Sequence, residues 1–256
     1  MILNPSASGR PILMLHGFMG SGNDWRSIAG LIGRPVMAPD LPGHGSNVGL
    51  PAEAYTMPAV AEALADHVRA EIGDEPVDVL GYSMGGRLAL YFALAHPERI
   101  RHLITESASP GLKTETERAA RRVADTERAE ALQRQGMETF LDAWYAMPLF
   151  ASLHRHPARL DALRQIRAQS DPVELGRSLA GMGTGAQPSL WDRLGELRMP
   201  WTAIAGALDA KYVEITRNMT ADLPFAHAHI VPDAGHCVHL ERPVAYAQAL
   251  VTDSST

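Results

Sequence analysis

The chain has 256 residues, 46% of them hydrophobic and 20% charged, with a net charge of −6 at pH 7. That composition excludes a disordered, collagenous or coiled-coil protein and suits one α/β domain, with or without an insertion. The acidic balance argues against binding a nucleic-acid backbone, and no apolar run approaches the ~18 residues of a membrane-spanning helix.

The opening Met1-Ile2-Leu3-Asn4-Pro5 lacks the basic and long apolar regions of a secretory leader. The single cysteine, Cys237, has no internal disulfide partner, so a cytoplasmic location is expected. Ile12-Leu13-Met14-Leu15 reads as a buried strand, and Val36-Met37-Ala38 as a second before Pro39-Asp40. Helical spacing of apolar residues runs from Ala59 to Ile72. Val77-Asp78-Val79-Leu80 is a third strand, Arg87 to Ala95 an apolar helix and Ile100 to Thr105 a fourth strand. Such alternation predicts a mostly parallel sheet with helices on both faces. From about Gly111 to Leu194 the strand pattern stops, and Arg-rich helical segments are broken at Pro148, Pro157, Pro172 and Gly181 to Gly185. It returns at Trp201 to Ala205 and Ala228 to Val231, before a final helix around Val244 to Val251. The predicted organisation is therefore a core of residues 1–110 and 195–256, with a helical cap of residues 111–194 inserted between its strands.

Gly81-Tyr82-Ser83-Met84-Gly85-Gly86 falls where a strand ends and a helix begins. This is the setting of a G-x-S-x-G nucleophile elbow, whose small residues allow a strained turn that lifts the serine above the sheet. A serine hydroxyl needs a base, and the base an orienting acid, in the chain order Ser, acid, His for this kind of sheet. Asp209 follows one late strand and His236, in Ala234-Gly235-His236, follows the next. Both thus belong beyond the carboxyl ends of strands, where ligands bind. Glu106 is the competing acid and His239 the competing base. Phe18, after His16-Gly17, and Met84 are the expected backbone donors of an oxyanion hole. Cys237 beside scattered histidines has no metal-ligand spacing, so no metal is assigned.

Together, Leu15-His16-Gly17-Phe18, Asp40-Leu41-Pro42-Gly43-His44-Gly45, Gly81 to Gly86 and Asp233-Ala234-Gly235-His236 resemble the α/β-hydrolase superfamily from end to end of the chain. A narrower resemblance rests on Gly81 to Arg87, Glu106-Ser107-Ala108-Ser109-Pro110-Gly111-Leu112 and Arg118 to Asp125. Phe140 to Tyr145, Pro148-Leu149-Phe150, Gly181 to Pro188 and the loop holding Asp209, Lys211 and Tyr212 extend it. These look like the 2-succinyl-6-hydroxy-2,4-cyclohexadiene-1-carboxylate synthases of menaquinone and phylloquinone biosynthesis. The resemblance implies a lyase that eliminates pyruvate from a cyclohexene polyacid without a cofactor. It also implies that Arg121 and Arg167 of the cap face the substrate; Tyr82 and Trp144 either add a hydroxyl and an indole N–H beside it or serve as simple packing.

The basic residues suit such a ligand: 21 are Arg and two are Lys, and Arg grips carboxylates at two points. A GC-rich genome would give the same bias. Arg87 lies one helical turn beyond Ser83 on the same face. Buried there, it needs an anion, either a structural Asp or Glu or a substrate carboxylate. In the cap, Arg118, Arg121, Arg122 and Asp125 form one helical stripe, which could equally be a solvated surface. The rival reading is a hydrolase of esters or carbon–carbon bonds with an apolar cap lining, and a third is a non-catalytic binding module. The expected partner is a small polycarboxylate. The oligomeric state is not indicated.

Overall fold

In the computed structural model, which describes residues 1–252, seven strands form one sheet in the order β1-β3-β2-β4-β5-β6-β7. These are β1 (Ile2–Leu3), β2 (Ile12–Leu15), β3 (Val36–Met37), β4 (Val77–Tyr82), β5 (Ile100–Glu106), β6 (Trp201–Gly206) and β7 (Ala226–Val231). All neighbours are parallel except β1, which runs antiparallel to β3 at the edge. The sequence reading missed β1, because two residues show no periodicity.

Alternation along each strand sends side chains to opposite faces, so a doubly covered sheet needs apolar residues at nearly every position. Leu13, Leu15, Val79 and Leu103 join one core with α2 (Met57–Ile72) and α3 (Met84–Ala95). Ile12, Met14, Leu80 and Ile104 join the other with α1 (Arg26–Ile32) and α9 (Pro243–Thr252). Helix α1 was also not predicted, since its apolar face is short.

Between β5 and β6 the described chain has helices and no strand: α4 (Glu115–Tyr145), α5 (Pro157–Arg167) and α6 (Pro172–Met182). Thr114 and Glu117 form a capping box at the start of α4, satisfying otherwise orphaned amides. Gly136, at φ 79°, breaks α4 into two arms. Leu132, Phe140, Leu141, Phe150, Leu160 and Leu175 of this helical segment form one apolar cluster that also takes in Met19 and Cys237 from the loops beside the sheet. Among the described residues, no helix is long and apolar enough to cross a membrane.

Candidate active site

Ser83 sits between β4 and α3 with φ 50° and ψ −107°, a conformation that costs energy for a residue with a side chain and must be enforced by its surroundings. Two glycines make it possible. A Cβ on Gly81 would lie 2.2 Å from the carbonyl oxygen of Gly85, and one on Gly85 would lie 2.2 Å from that of Leu15. The Ser83 amide donates to the Glu106 carbonyl at 2.8 Å, pinning the elbow to the end of β5.

The Ser83 hydroxyl donates to His236 Nε2 at 3.2 Å, and His236 Nδ1–H donates to Asp209 Oδ2 at 2.8 Å. Asp209 is the N-cap of α7 (Ala210–Thr220), where its Oδ1 accepts the Tyr212 amide at 3.2 Å. One carboxylate thus serves both the helix end and the imidazole. Glu106 and His239, the competitors, pair with each other at 2.9 Å in a buried contact behind Tyr82. Phe18 and Met84 both line the adjoining cavity, and among the described residues neither backbone amide has an acceptor within the protein.

His16 is structural: its Nε2 accepts the Leu41 amide at 3.0 Å while Nδ1–H donates to the Gly17 carbonyl at 2.8 Å. Burial holds its pKa below the ordinary value and pushes that of His44 down to about 3, so both rings are neutral. Their neutrality lets them brace the turn carrying Phe18.

A cavity of about 800 Å³ lies over Ser83, lined on its far side by residues of the helical segment between β5 and β6. All the predicted binding residues, Tyr82, Arg87, Arg121, Trp144 and Arg167, line it. Their electrostatic situations differ. Arg87 is only 8% exposed and donates to the neutral amide oxygen of Gln187 at 2.9 Å; no carboxylate among the described residues pairs with it. Burial lowers its pKa to about 10, so it remains charged at neutral pH. Arg121 is shared with Arg128 on a buried carboxylate, Asp125, at 2.7 and 3.2 Å. Arg118 and Arg122 instead bind Glu115 on the outer side. The expected single stripe is therefore split, with Arg121 lining the cavity and Arg118 and Arg122 tied to Glu115 away from it. Arg167 is held by Asp24 at 2.6 and 3.1 Å, so its charge is already met. Tyr82 contacts Cys237 Sγ through its hydroxyl at 3.0 Å, and burial pushes that thiol well above its ordinary pKa, leaving it protonated.

Sequence reasoning missed three more cations on the cavity wall: Arg128, Arg155 and, as a charge, Lys211. Arg128 lies seven residues beyond Arg121, a spacing that could have revealed it. Arg155 and Lys211 pair with no carboxylate among the described residues; Arg155 donates to the carbonyls of Ser152 and Asp233. No described group of three or more His, Cys, Asp and Glu could hold a metal ion.

Residues 10–243 match the family described as alpha/beta hydrolase fold. A Bacillus subtilis (strain 168) protein, named provisionally as 2-succinyl-6-hydroxy-2,4-cyclohexadiene-1-carboxylate synthase, is 38% identical, covering 93% of this chain and 88% of that one. The synthase of that name from Enterobacter sp. (strain 638) is 34% identical over 98% of this chain and 95% of its own. The chain belongs to this synthase family. A solved structure of MenH from S. aureus superposes with a TM-score of 0.93 at 30% identity, covering 98% of this chain and 96% of that one. The likeness to that structure extends over the sheet and over the helical segment between β5 and β6.

Proposed function

We propose that Ser83, His236 and Asp209 carry out the family's reaction as a base unit, with Phe18 and Met84 as the oxyanion hole. The chain is a lyase that converts 2-succinyl-5-enolpyruvyl-6-hydroxy-3-cyclohexene-1-carboxylate into pyruvate and 2-succinyl-6-hydroxy-2,4-cyclohexadiene-1-carboxylate. The two names define the bond changes. The C2 proton, activated by the succinyl ketone, leaves to Ser83 Oγ as the serine proton passes to His236 Nε2. The electron pair forms an enolate, whose oxygen the amides of Phe18 and Met84 stabilise. It then moves through the ring, making C2=C3 and C4=C5 double bonds and breaking the C5–O bond. The departing enolate of pyruvate takes on carbon the proton held by His236 and becomes the ketone, which returns Ser83 and His236 to their starting protonation. No acyl-enzyme forms, and no cofactor takes part in this scheme.

The observation that carries this reading is the isolated buried charge of Arg87. A neutral ester gives a buried guanidinium nothing to pair with, whereas this substrate brings three carboxylates, each able to form a charge-assisted contact. Arg155, Lys211 and the surplus charge of Arg121 and Arg128 over Asp125 extend the complementarity. Arg167 contributes through the edge of its paired guanidinium, with Tyr82 and Trp144 supplying polar hydrogens beside it. The functional division is a core of residues 1–110 and 195–256 with residues 111–194 as the cap. The net charge of −6 supports a reading without nucleic-acid partners, and the unpaired Cys237 supports a cytoplasmic setting. Pyruvate release from the polyacid, measured beside a panel of uncharged esters, tests the proposal. Preference for the polyacid by orders of magnitude is expected; preference for an ester would refute it.

A further inference from the structure

His236 stands in the loop between β7 and the short helix α8 (Val238–Glu241). Asp209 orients its ring but does nothing for the peptide units on either side. Those are held by Glu241, a carboxylate only 3% exposed. Its Oε2 accepts the Gly235 amide at 3.0 Å and its Oε1 accepts the Cys237 amide at 3.3 Å. The two residues flanking His236 are therefore tied to one carboxylate group.

The same Oε1 accepts the hydroxyl of Ser152 at 3.0 Å. Ser152 belongs to the cap segment Pro148–Arg155, which also places Phe150 edge-on against the His236 ring at 5.9 Å. The fit is close: a Cβ on Gly235 would meet Ser152 Oγ at 1.9 Å. On the other side, Arg159 of α5 donates to the carbonyls of Leu240 and Glu241. No cation pairs with the Glu241 carboxylate among the described residues; the three neutral donors hold it. A buried anion without a counter-charge is costly to keep, and here its donors are the flanks of the base and one cap hydroxyl.

We propose that Glu241 is a positioning residue for His236, and that Ser152 makes the seating of the cap part of that positioning. The inference rests on His236 being the base. It extends that assignment by tying the base to the cap through one carboxylate group. Because the distance from His236 Nε2 to the Ser83 hydroxyl governs how readily the serine can accept the C2 proton, a displaced loop should impair kcat more than substrate binding.

The test compares Glu241→Gln, Ser152→Ala and His236→Ala with the wild type, using polyacid kinetics, thermal melting and the low-field proton resonance of the His236–Asp209 hydrogen bond. In Glu241→Gln one carboxylate oxygen becomes an NH2 that cannot accept, while the remaining carbonyl oxygen still can, so one flanking backbone amide loses its partner. Turnover is expected to fall about tenfold to a hundredfold with KM within about twofold, and the low-field resonance should move or broaden. Ser152→Ala should shift the same resonance with a smaller loss of kcat. Should Glu241→Gln fail to fold, the Ser152→Ala spectrum decides alone. Unchanged kcat and resonance in a folded Glu241→Gln, with only melting lowered, would overturn the proposal, as would an unmoved resonance in Ser152→Ala when the other variant does not fold. If His236→Ala retains activity, the base assignment itself is at fault, which separates that failure from this one.

Discussion

Arg87 and the paired arginines near it occupy one cavity but do different electrostatic work. Arg121 and Arg167 already have carboxylates, whereas Arg87 has an amide oxygen. Replacing it by alanine should remove a charge-assisted contact worth roughly 1.5–3 kcal/mol, about tenfold to over a hundredfold in kcat/KM for the polyacid. Lysine should restore part of this, lacking the planar two-point grip, and an uncharged ester should show little effect. The pH dependence has a definite sign. Arg87 is charged below its pKa of about 10, so kcat/KM for the polyacid should fall as pH rises through that value, and Arg87→Ala should lack this limb. At the proposed base unit, Ser83→Ala should cost several orders of magnitude and the added His236→Ala little more, since triad members act as a unit. Steady-state kinetics on the double mutant checks this; multiplicative losses would break the assignment. Asp209→Asn should be more damaging than Glu106→Gln, because Glu106 is committed to His239.

At the level of elements, Asp24 and Arg167 join α5 of the cap to the 3-10 turn Gly22–Trp25, directly after the Phe18 turn. Burial opposes the charge on Asp24, but Arg167 more than offsets this and holds its carboxyl below the ordinary 3.8. The folded-state pKa being depressed, this contribution is fully present above about pH 4 and is lost as pH falls below it. Asp24→Asn should lower the melting temperature substantially, since a broken buried pair typically costs about 3–5 kcal/mol. The double replacement Asp24→Leu with Arg167→Met should melt higher than Asp24→Asn, though it sacrifices activity. Differential scanning calorimetry distinguishes them. This pair was not legible in the sequence, where 143 positions separate its members. The triad was legible because each member follows a recognisable strand: β4 before Ser83, β6 before Asp209 and β7 before His236. Glu241 gave no such signal, as its use arises only when the loop folds back over α8. Arg118 and Arg122 looked equivalent to Arg121, and only packing against Asp125 and Glu115 separates them.

Across the whole molecule, an acidic chain encloses a cationic cavity. With a net charge of −6, nonspecific anion binding is suppressed while Arg87, Arg155 and Lys211 attract anions locally. The kcat/KM for the polyacid should therefore decline as ionic strength rises, and that for a neutral ester should not. The fold itself is indifferent to the choice between elimination and hydrolysis, because elbow, base and oxyanion hole serve both. What distinguishes them is whether Ser83 accepts a proton or becomes acylated. The most direct test is a rapid-quench time course in which pyruvate and the intact mass of the chain are read from the same samples. The account predicts pyruvate formed linearly from the first turnover with the protein mass unchanged throughout. A covalent adduct on Ser83 that forms and decays at the rate of turnover would contradict it.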